Sequence, residues 1–427
     1  MMKPTSATIF AYQVGFGDCF LLRFQYPAAQ RHVLVDFGTA ALPESADPNQ
    51  LMRIANDVAA KCGNKLDAVV ATHRHADHIS GFTTKADGSG TGDVIRRLAP
   101  DVVVQPWTED PKLAVDATGP KATRASGERL ATRALAHMQG VAGEIFAASA
   151  ASAKTYPAHV VDQLRFIGQD NLTNLSAVKN LMTMGKKRVY TYHEGPSGLE
   201  AVLPGIKTLV LGPPTLKQTQ TISVQRKRDP DEFWQLRLRG LADENARAAA
   251  STPLFPAAVL ARGSKLPYSA RWLAARMRLA RGDELLQIVR TLDDAMNNTS
   301  LVLLFQTANA KLLFPGDAQI ENWQYALSKP KYVELLKSVD LYKVGHHGSL
   351  NATPRSLWNA FDKKGAASKP GRLKSVMSTK PDKHGHVESG TEVPRETLVA
   401  ELRARSELHS THLLAGGKLC DTIEIAL

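Results

Sequence analysis

A run of closely spaced metal-binding side chains is the feature that most restricts how this chain can fold. Residues 73–78 (HRHADH) hold three histidines and an aspartate, directly after the short apolar run DAVVAT. The run is β-branched at its centre, which predicts a buried strand with the histidines at its C-terminal end. His73 and His75 can face one metal ion, whereas the adjacent Asp77 and His78 diverge towards a second. The motif predicts half of a site for two metal ions, and a solvated histidine-rich loop is the alternative.

Two further groups of polar residues follow predicted strands later in the chain. Asp317 follows the apolar strand 311–314 and a Pro-Gly turn, and residues 345–349 (GHHGS) follow the strand 339–344. A carboxylate is suited to lie between two metal ions because it neutralises charge and can give one oxygen to each. Asp317 is placed to do so, and a turn aspartate that caps the next helix is the alternative. For the glycine-histidine motif, the alternative is a polar strand-to-helix turn.

The composition is that of a sizeable soluble protein. The 427 residues could form one large elaborated domain or two to three ordinary ones, and 43% apolar residues suffice for a buried core. No segment of the sequence reaches membrane-spanning length, and the N-terminus lacks the apolar stretch of a signal peptide. Cys19, Cys62 and Cys420 show no metal-binding spacing, so a reducing cytoplasm is the expected location.

Positive charge is concentrated in one segment. The chain carries 53 Lys and Arg against 41 Asp and Glu, net +12, and residues 216–290 alone hold 14 basic and 7 acidic side chains. Clustered cations raise the local concentration of anions and release counterions on binding. Nucleic acid or another phosphodiester is therefore a candidate partner, and a solvated helical face is the alternative reading of the segment.

The predicted elements begin with strands and continue with alternating strands and helices. Strands at 8–13, 19–24 and 32–36 predict an antiparallel meander, and a helix at 48–61 has Asp47 as its expected N-cap. Further strands are expected at 67–72, 102–105, 199–203, 207–211, 300–306, 311–314, 339–344 and 375–378, a further helix at 394–405, and a closing pair of strands around 416–417.

Several short motifs occur along the chain in a fixed order. They are 14–18 (VGFGD), 35–38 (VDFG), 72–78 (THRHADH), 210–213 (VLGP), 298–301 (NTSL), 315–317 (PGD) and 344–349 (VGHHGS). This set resembles the metallo-β-lactamase fold, and within it most resembles the soluble hydrolase domain of ComEC-type competence proteins. The resemblance implies an α/β fold of four layers, the αββα sandwich, with the metal site along one edge. It implies a single domain over 1–427, interrupted by a helical elaboration at 106–186 and a basic helical insertion at 216–296.

The resemblance also implies a set of metal ligands. These are His73 and His75 for the first metal, Asp77 and His78 for the second, and Asp317 as the bridge between them. Either His346 or His347 would complete the ligands of the second metal, and we favour His346, which leaves His347 to contact a substrate phosphate or to support a ligand. Asp36 would orient a ligand rather than coordinate a metal itself.

One ligand of the first metal is missing from this set. Many members of the fold supply another histidine between the motifs that correspond to 73–78 and Asp317. His193 is the best placed candidate here, and a structural histidine is the alternative. Other side chains expected near the same edge could bind phosphate oxygens or protonate a leaving group, with ordinary loop polarity as the alternative. These are Lys343, Ser349, His384 and His386.

The expected activity is hydrolysis by a hydroxide that two divalent metal ions activate. Imidazole and carboxylate ligands without thiolate favour zinc, with manganese as the second choice. Phosphodiester hydrolysis is the leading reaction, because the proteins that the chain resembles are nuclease-like and the chain carries a basic segment. The alternatives are hydrolysis of a non-nucleic phosphodiester, a lactone or another ester, and a scaffold or regulatory subunit of a multi-protein system.

Overall fold

The protein has a mixed α/β fold that contains two mixed β-sheets. The computed structural model describes residues 3–110, 119–120, 175–219, 297–349, 353–383, 392–415 and 417–427. Its strands are β1 (Ser6–Tyr12), β2 (Cys19–Tyr26), β3 (Ala29–Phe37), β4 (Ala68–Val70), β5 (Val102–Pro106), β6 (Lys187–Thr191), β7 (Lys207–Gly212), β8 (Val302–Gln306), β9 (Lys311–Phe314), β10 (Leu341–Lys343), β11 (Lys374–Met377), β12 (Glu407–Ser410) and β13 (Cys420–Ala426).

Each sheet joins an antiparallel half to a parallel half. The first sheet has the order β13-β1-β2-β3-β4-β5-β6, with antiparallel pairing up to β3 and parallel pairing beyond it. The second has the order β12-β11-β10-β9-β8-β7, in which β7, β8 and β9 pair antiparallel and the remaining pairs are parallel. The C-terminal ends of the parallel strands therefore lie along one edge of each sheet.

Helices connect the parallel strands. They are α1 (Gln50–Lys61), α2 (Ala76–Ile79), α3 (Thr91–Arg97), α4 (Leu175–Leu181), α5 (Ile320–Leu327), α6 (Pro330–Lys337), α7 (Arg355–Ala360) and α8 (Glu396–Arg405). Among the described residues, no helix is long and apolar enough to cross a membrane. Of the predicted insertions, 106–186 contributes α4 near its end, and nearly all of 216–296 lies outside the described residues.

In the described part of the chain, three large apolar cores hold these elements together. One core joins the two sheets, and in it Phe314 of the second sheet lies edge-on to Phe20 of the first, with ring centroids 5.9 Å apart. A second core packs α1, α3 and α4 on the first sheet, and a third packs α5 to α8 on the second. Successive residues of β4 alternate between cores: Val70 lies in the inter-sheet core and Val69 in the core beneath the helices. Burial on both faces explains why parallel strands read as continuous apolar runs.

Several predicted boundaries are wrong, and each has a physical reason. The 199–203 stretch forms turns rather than a strand. Its sequence is apolar like that of a strand because Leu199 and Leu203 pack into the inter-sheet core. Helix α1 begins at Gln50 with Asn49 as N-cap, because Asp47 Oδ1 accepts the Asn49 N–H at 2.8 Å and forms a turn ahead of the helix. The strands on either side of 416–417 belong to different sheets and do not pair.

Candidate metal centre

The sequence motif at 72–78 lies where the two sheets meet. Thr72 follows β4, His75 is the N-cap of the short helix α2, and this helix holds Asp77 and His78. The Thr72 carbonyl accepts a hydrogen bond from the Leu301 N–H at 2.9 Å, which joins the motif to the segment before β8. Asp36 lies near the C-terminal end of β3, Asp317 follows β9, and residues 344–347 follow β10. Strand ends of both sheets therefore contribute to one cluster.

The turn before Asp317 packs closely against the motif. Gly316 has a φ of 56°, and a Cβ added to it would lie 2.7 Å from the Cβ of Thr72. Glycine is required here because both the left-handed backbone and the close approach exclude a side chain. The Pro-Gly-Asp sequence therefore brings β9 and its carboxylate directly beside the strand that precedes the histidines.

Three overlapping groups of buried side chains could each hold a metal ion among the described residues, and the largest has four members. Asp77, His78, Asp317 and His347 each offer one donor atom, and these atoms all lie within 4.8 Å of one another. The Nε2 atom of His78 is 3.0 Å from Asp317 Oδ2, and the Nε2 atom of His347 is 2.9 Å from Asp77 Oδ2. Two imidazoles and two carboxylates therefore face a common centre.

A second group consists of His73, His75 and Asp77, whose donor atoms also lie within 4.8 Å of one another. The Nε2 atom of His73 is 2.9 Å from the Nδ1 atom of His75. Burial, and then the neighbouring His78 and His75, hold the pKa of His73 well below its ordinary value, which favours the neutral imidazole that binds metals. Asp77 belongs to both of these groups and is the carboxylate that they share, whereas Asp317, which is expected from the sequence as the bridge, belongs to the larger group and not to this one.

The residues present fit divalent metal ions. Asp77 Oδ1 is buried and has no hydrogen-bond partner among the described residues, a costly state that a bound cation would relieve. Burial lowers the pKa of His78, but the carboxylates of Asp317, Asp77 and Asp36 together hold it well above its ordinary value. The cluster thus attracts positive charge, and its oxygen and imidazole donors suit zinc or manganese.

Partners on the Nδ1 side orient both histidines of the larger group. Asp36 Oδ2 is 2.8 Å from His78 Nδ1, and the Ser378 carbonyl is 3.0 Å from His347 Nδ1. These acceptors hold a proton on Nδ1, so the neutral form of each ring carries its lone pair on Nε2. Asp36 forms the third group with Asp18 and His78, so its expected role of orienting a ligand rather than coordinating a metal stays a prediction.

The paired histidines at the end of β10 differ in position. His346 is the ligand favoured from the sequence, but it is His347 whose ring nitrogen lies close to the donor atoms of Asp77 and Asp317. His346 is half-buried and gives its backbone N–H to Asp317 Oδ1 at 3.1 Å. Both histidines have left-handed φ values, 43° and 52°, and sequence spacing does not reveal such a turn. The side chains of His346 and His347 therefore have different contacts although the two residues are adjacent.

His193 is not brought together with the other histidines. Its Nδ1 lies 2.6 Å from the Leu211 carbonyl, and its ring packs edge-on to Tyr325 and Tyr332 at centroid distances of 4.8 and 5.1 Å. It belongs to none of the three ligand groups in the described part of the chain. These contacts are those of a structural histidine between β7 and the helices α5 and α6.

The four residues predicted to contact substrate have different outcomes. Lys343 is buried inside the cluster, with its Nζ 3.3 Å from Asp317 Oδ1. Ser349 lies after the histidine turn, where its N–H donates to the His346 carbonyl at 2.8 Å. His384 and His386 lie outside the described residues.

Asp18 lies in the cluster, although no role for it was predicted from the sequence. Asp18 is buried between β1 and β2, and its carboxylate forms an ion pair with Lys343. Its Oδ2 lies 3.7 Å from His78 Nδ1 and its Oδ1 lies 3.8 Å from His347 Nδ1. The sequence feature that could have indicated this position is an aspartate directly after a glycine-rich turn and directly before a buried strand.

Neither a known protein family nor a curated protein matches the chain. The donor set and its geometry are therefore the observations from which a function can be argued.

Proposed function

We propose that this protein is a metal-dependent hydrolase with the metallo-β-lactamase fold, and that it cleaves phosphodiesters. The observation that carries the proposal is the pair of overlapping ligand groups, which share Asp77 at the junction of the two sheets. Two adjacent groups of imidazoles and carboxylates suit a pair of divalent metals, of which zinc is the first choice and manganese the second.

The arrangement of the cores supports the four-layer αββα form of the proposal. One apolar core lies between the sheets, and the other two lie between a sheet and its helices. The order of layers that follows is helices, sheet, sheet, helices. The ordered motifs and the position of the cluster at the strand ends agree with the resemblance to ComEC-type hydrolase domains.

The residues of the chain have separate tasks in this proposal. Bound metals would supply Lewis-acid activation of water and of a substrate oxygen. Asp77 holds the two ligand groups together, and Asp317 directs Oδ2 towards the imidazoles of His78 and His347. Asp36 fixes the His78 ring, and burial of the cluster limits its contact with bulk water.

A phosphodiester is the proposed substrate for two reasons. The chain resembles nuclease-like hydrolases, and its 216–290 segment is strongly basic. Cations near a site raise the local concentration of a polyanionic substrate. Hydrolysis of a small non-nucleic ester by the same cluster is the second candidate, because nothing in the ligand groups themselves selects a polymer.

The first experiment measures metal content and hydrolysis together. Purified protein is analysed for bound metal and then offered an activated aryl phosphodiester. We expect turnover in the wild type and in Asp87→Asn, an exposed aspartate that serves as the matched control. Changing Asp77 or Asp317 to Ala should abolish turnover while circular dichroism stays unchanged. A metal-free and inactive wild type would instead favour a scaffold or regulatory role.

The second experiment separates polymer from small-ester substrates. Arg226, Lys227 and Arg228 form a basic triplet in the 216–290 segment. Changing all three to Ser should weaken salt-sensitive binding of single-stranded DNA or RNA far more than hydrolysis of the aryl ester. Equal effects on both substrates would count against a role of this segment in binding nucleic acid.

A further inference from the structure

We propose that Lys343 is a positioning residue that holds Asp317 in the orientation required for metal binding, with Asp18 as its fixed counterion. This role rests on the proposed metal-dependent function, and it differs from the substrate contact expected from the sequence. It concerns how the carboxylate is oriented rather than which residues are ligands.

The ammonium group of Lys343 is fully engaged inside the protein. Lys343 is 1% exposed, forms an ion pair with Asp18 and lies 3.1 Å from the Gly316 carbonyl and 3.3 Å from Asp317 Oδ1. An ammonium group has three donors, and three acceptors surround this one. The ammonium is buried and held among these three oxygens, so a direct substrate contact does not agree with this geometry.

The two carboxylate oxygens of Asp317 have different partners. Oδ1 accepts from the Lys343 ammonium and from the backbone N–H of His346. Oδ2 is left facing the Nε2 atoms of His78 and His347, at 3.0 and 3.6 Å. Because Oδ1 accepts from both of these donors, the carboxylate cannot rotate without losing the two contacts. The orientation of Oδ2 is therefore set before any ligand arrives.

Asp18 keeps the lysine in place and joins distant parts of the chain. Asp18 directly precedes β2 of the first sheet, whereas Lys343 ends β10 in the other sheet. The Asp18 N–H also donates to the Asp77 carbonyl at 2.9 Å, so the same residue contacts the backbone of the shared ligand. A charge pair buried at this junction links the geometry of Asp317 to that of Asp77. Loss of either partner would leave a buried charge without compensation.

The test compares metal binding by stripped protein across a set of variants. Lys343→Met alone leaves Asp18 unpaired and could fail to fold, so the decisive variant is the double change Asp18→Asn with Lys343→Met, which removes both charges. Lys363→Met is the matched control, because Lys363 pairs with Asp340 at the opposite end of β10. Zn²⁺ and Mn²⁺ binding are measured by calorimetry, and folding by thermal unfolding of the metal-free proteins.

We expect the double variant to fold and to bind at least one metal ion about 10–100-fold more weakly, the usual effect of removing a partner of a ligand. The control should bind with wild-type affinity. Wild-type affinity in the folded double variant would overturn the inference and reduce the pair to a structural brace. A wild type that takes up neither metal would overturn the proposed function itself, so the two failures are distinguishable.

Discussion

Asp36 is bonded to both ends of the histidine motif: one of its oxygens lies 2.8 Å from Nδ1 of His78, and the carboxylate also accepts the N–H and the hydroxyl of Thr72, each at 2.7 Å. The aspartate adopts a left-handed φ of 54°, a conformation that is uncommon outside glycine but that aspartate and asparagine adopt more often than most residues. Strain of this kind persists where surrounding bonds require it, and here three bonds fix the first residue of the motif relative to its last.

Changing Asp36 to Asn should weaken metal binding about 10–100-fold with little change in overall fold. The amide would present its N–H₂ group either to the Thr72 N–H or to the His78 ring, so one of these partners loses its acceptor. Calorimetric titration of the stripped protein with Zn²⁺ measures the effect, and Asp87→Asn is the exposed control. Unaltered affinity in Asp36→Asn would show that the His78 ring needs no orienting partner.

The two neighbouring histidines provide a matched pair of variants. His347→Ala should lose one bound metal, since its Nε2 lies in the group with Asp77 and Asp317. His346→Ala should retain both metals, because the contact of His346 with Asp317 uses the backbone N–H, which alanine preserves. Metal stoichiometry by mass spectrometry decides the matter. The opposite pattern would restore His346 as the ligand.

Local sequence patterns were sufficient for much of the fold. The predicted strand at 311–314 has the bounds of β9, and the apolar run before the histidines contains β4. Both strands are short apolar runs bounded by turn residues, which is the signal that burial on two faces leaves in a sequence. Strand β6 was not predicted from the sequence. It begins with the exposed residues Lys187 and Arg188, so this edge strand lacks the apolar run by which the other strands were recognised.

The internal geometry of the candidate site was less accessible from sequence. Residue types and spacing predicted most of the residues that the structure brings together, but not how they divide into groups or that Asp77 rather than Asp317 is shared. Two successive left-handed residues, His346 and His347, also give neighbouring side chains different surroundings. The partnership of Asp18 with Lys343 joins residues 325 positions apart in different sheets. No local periodicity encodes such a contact, because it depends on how the two sheets pack.

His193 provides a test of whether a third histidine serves the first metal. His193→Gln should leave metal stoichiometry unchanged, since its ring packs on Tyr325 and Tyr332 away from both ligand groups. It should lower the free energy of unfolding by about 1–3 kcal/mol, the usual cost of disturbing a buried hydrogen bond such as that to Leu211. Urea denaturation and metal analysis of the same sample measure both quantities. Loss of a metal with unchanged stability would contradict the placement.

The inter-sheet core can be tested at Phe314, which packs against Phe20 and Phe305 with ring centroids 5.9 and 6.0 Å away. Phe314→Ala should lower the free energy of unfolding by about 3–5 kcal/mol, because it leaves a cavity between the sheets. Leu413→Ala is the control, since Leu413 is 60% exposed and should change stability by no more than about 0.5 kcal/mol. Similar effects of both changes would mean that the sheets do not share a tightly packed core.

Metal binding should also stabilise the fold, because the donors come from both sheets and are assembled only in the native state. At a free metal concentration 100 times the dissociation constant, one site adds about 2.7 kcal/mol to the free energy of unfolding. Urea denaturation of the stripped protein, with and without Zn²⁺, measures this difference. Asp77→Ala should lose most of it, since both ligand groups share that carboxylate. Equal stabilisation of wild type and Asp77→Ala would mean that the metal binds elsewhere on the protein.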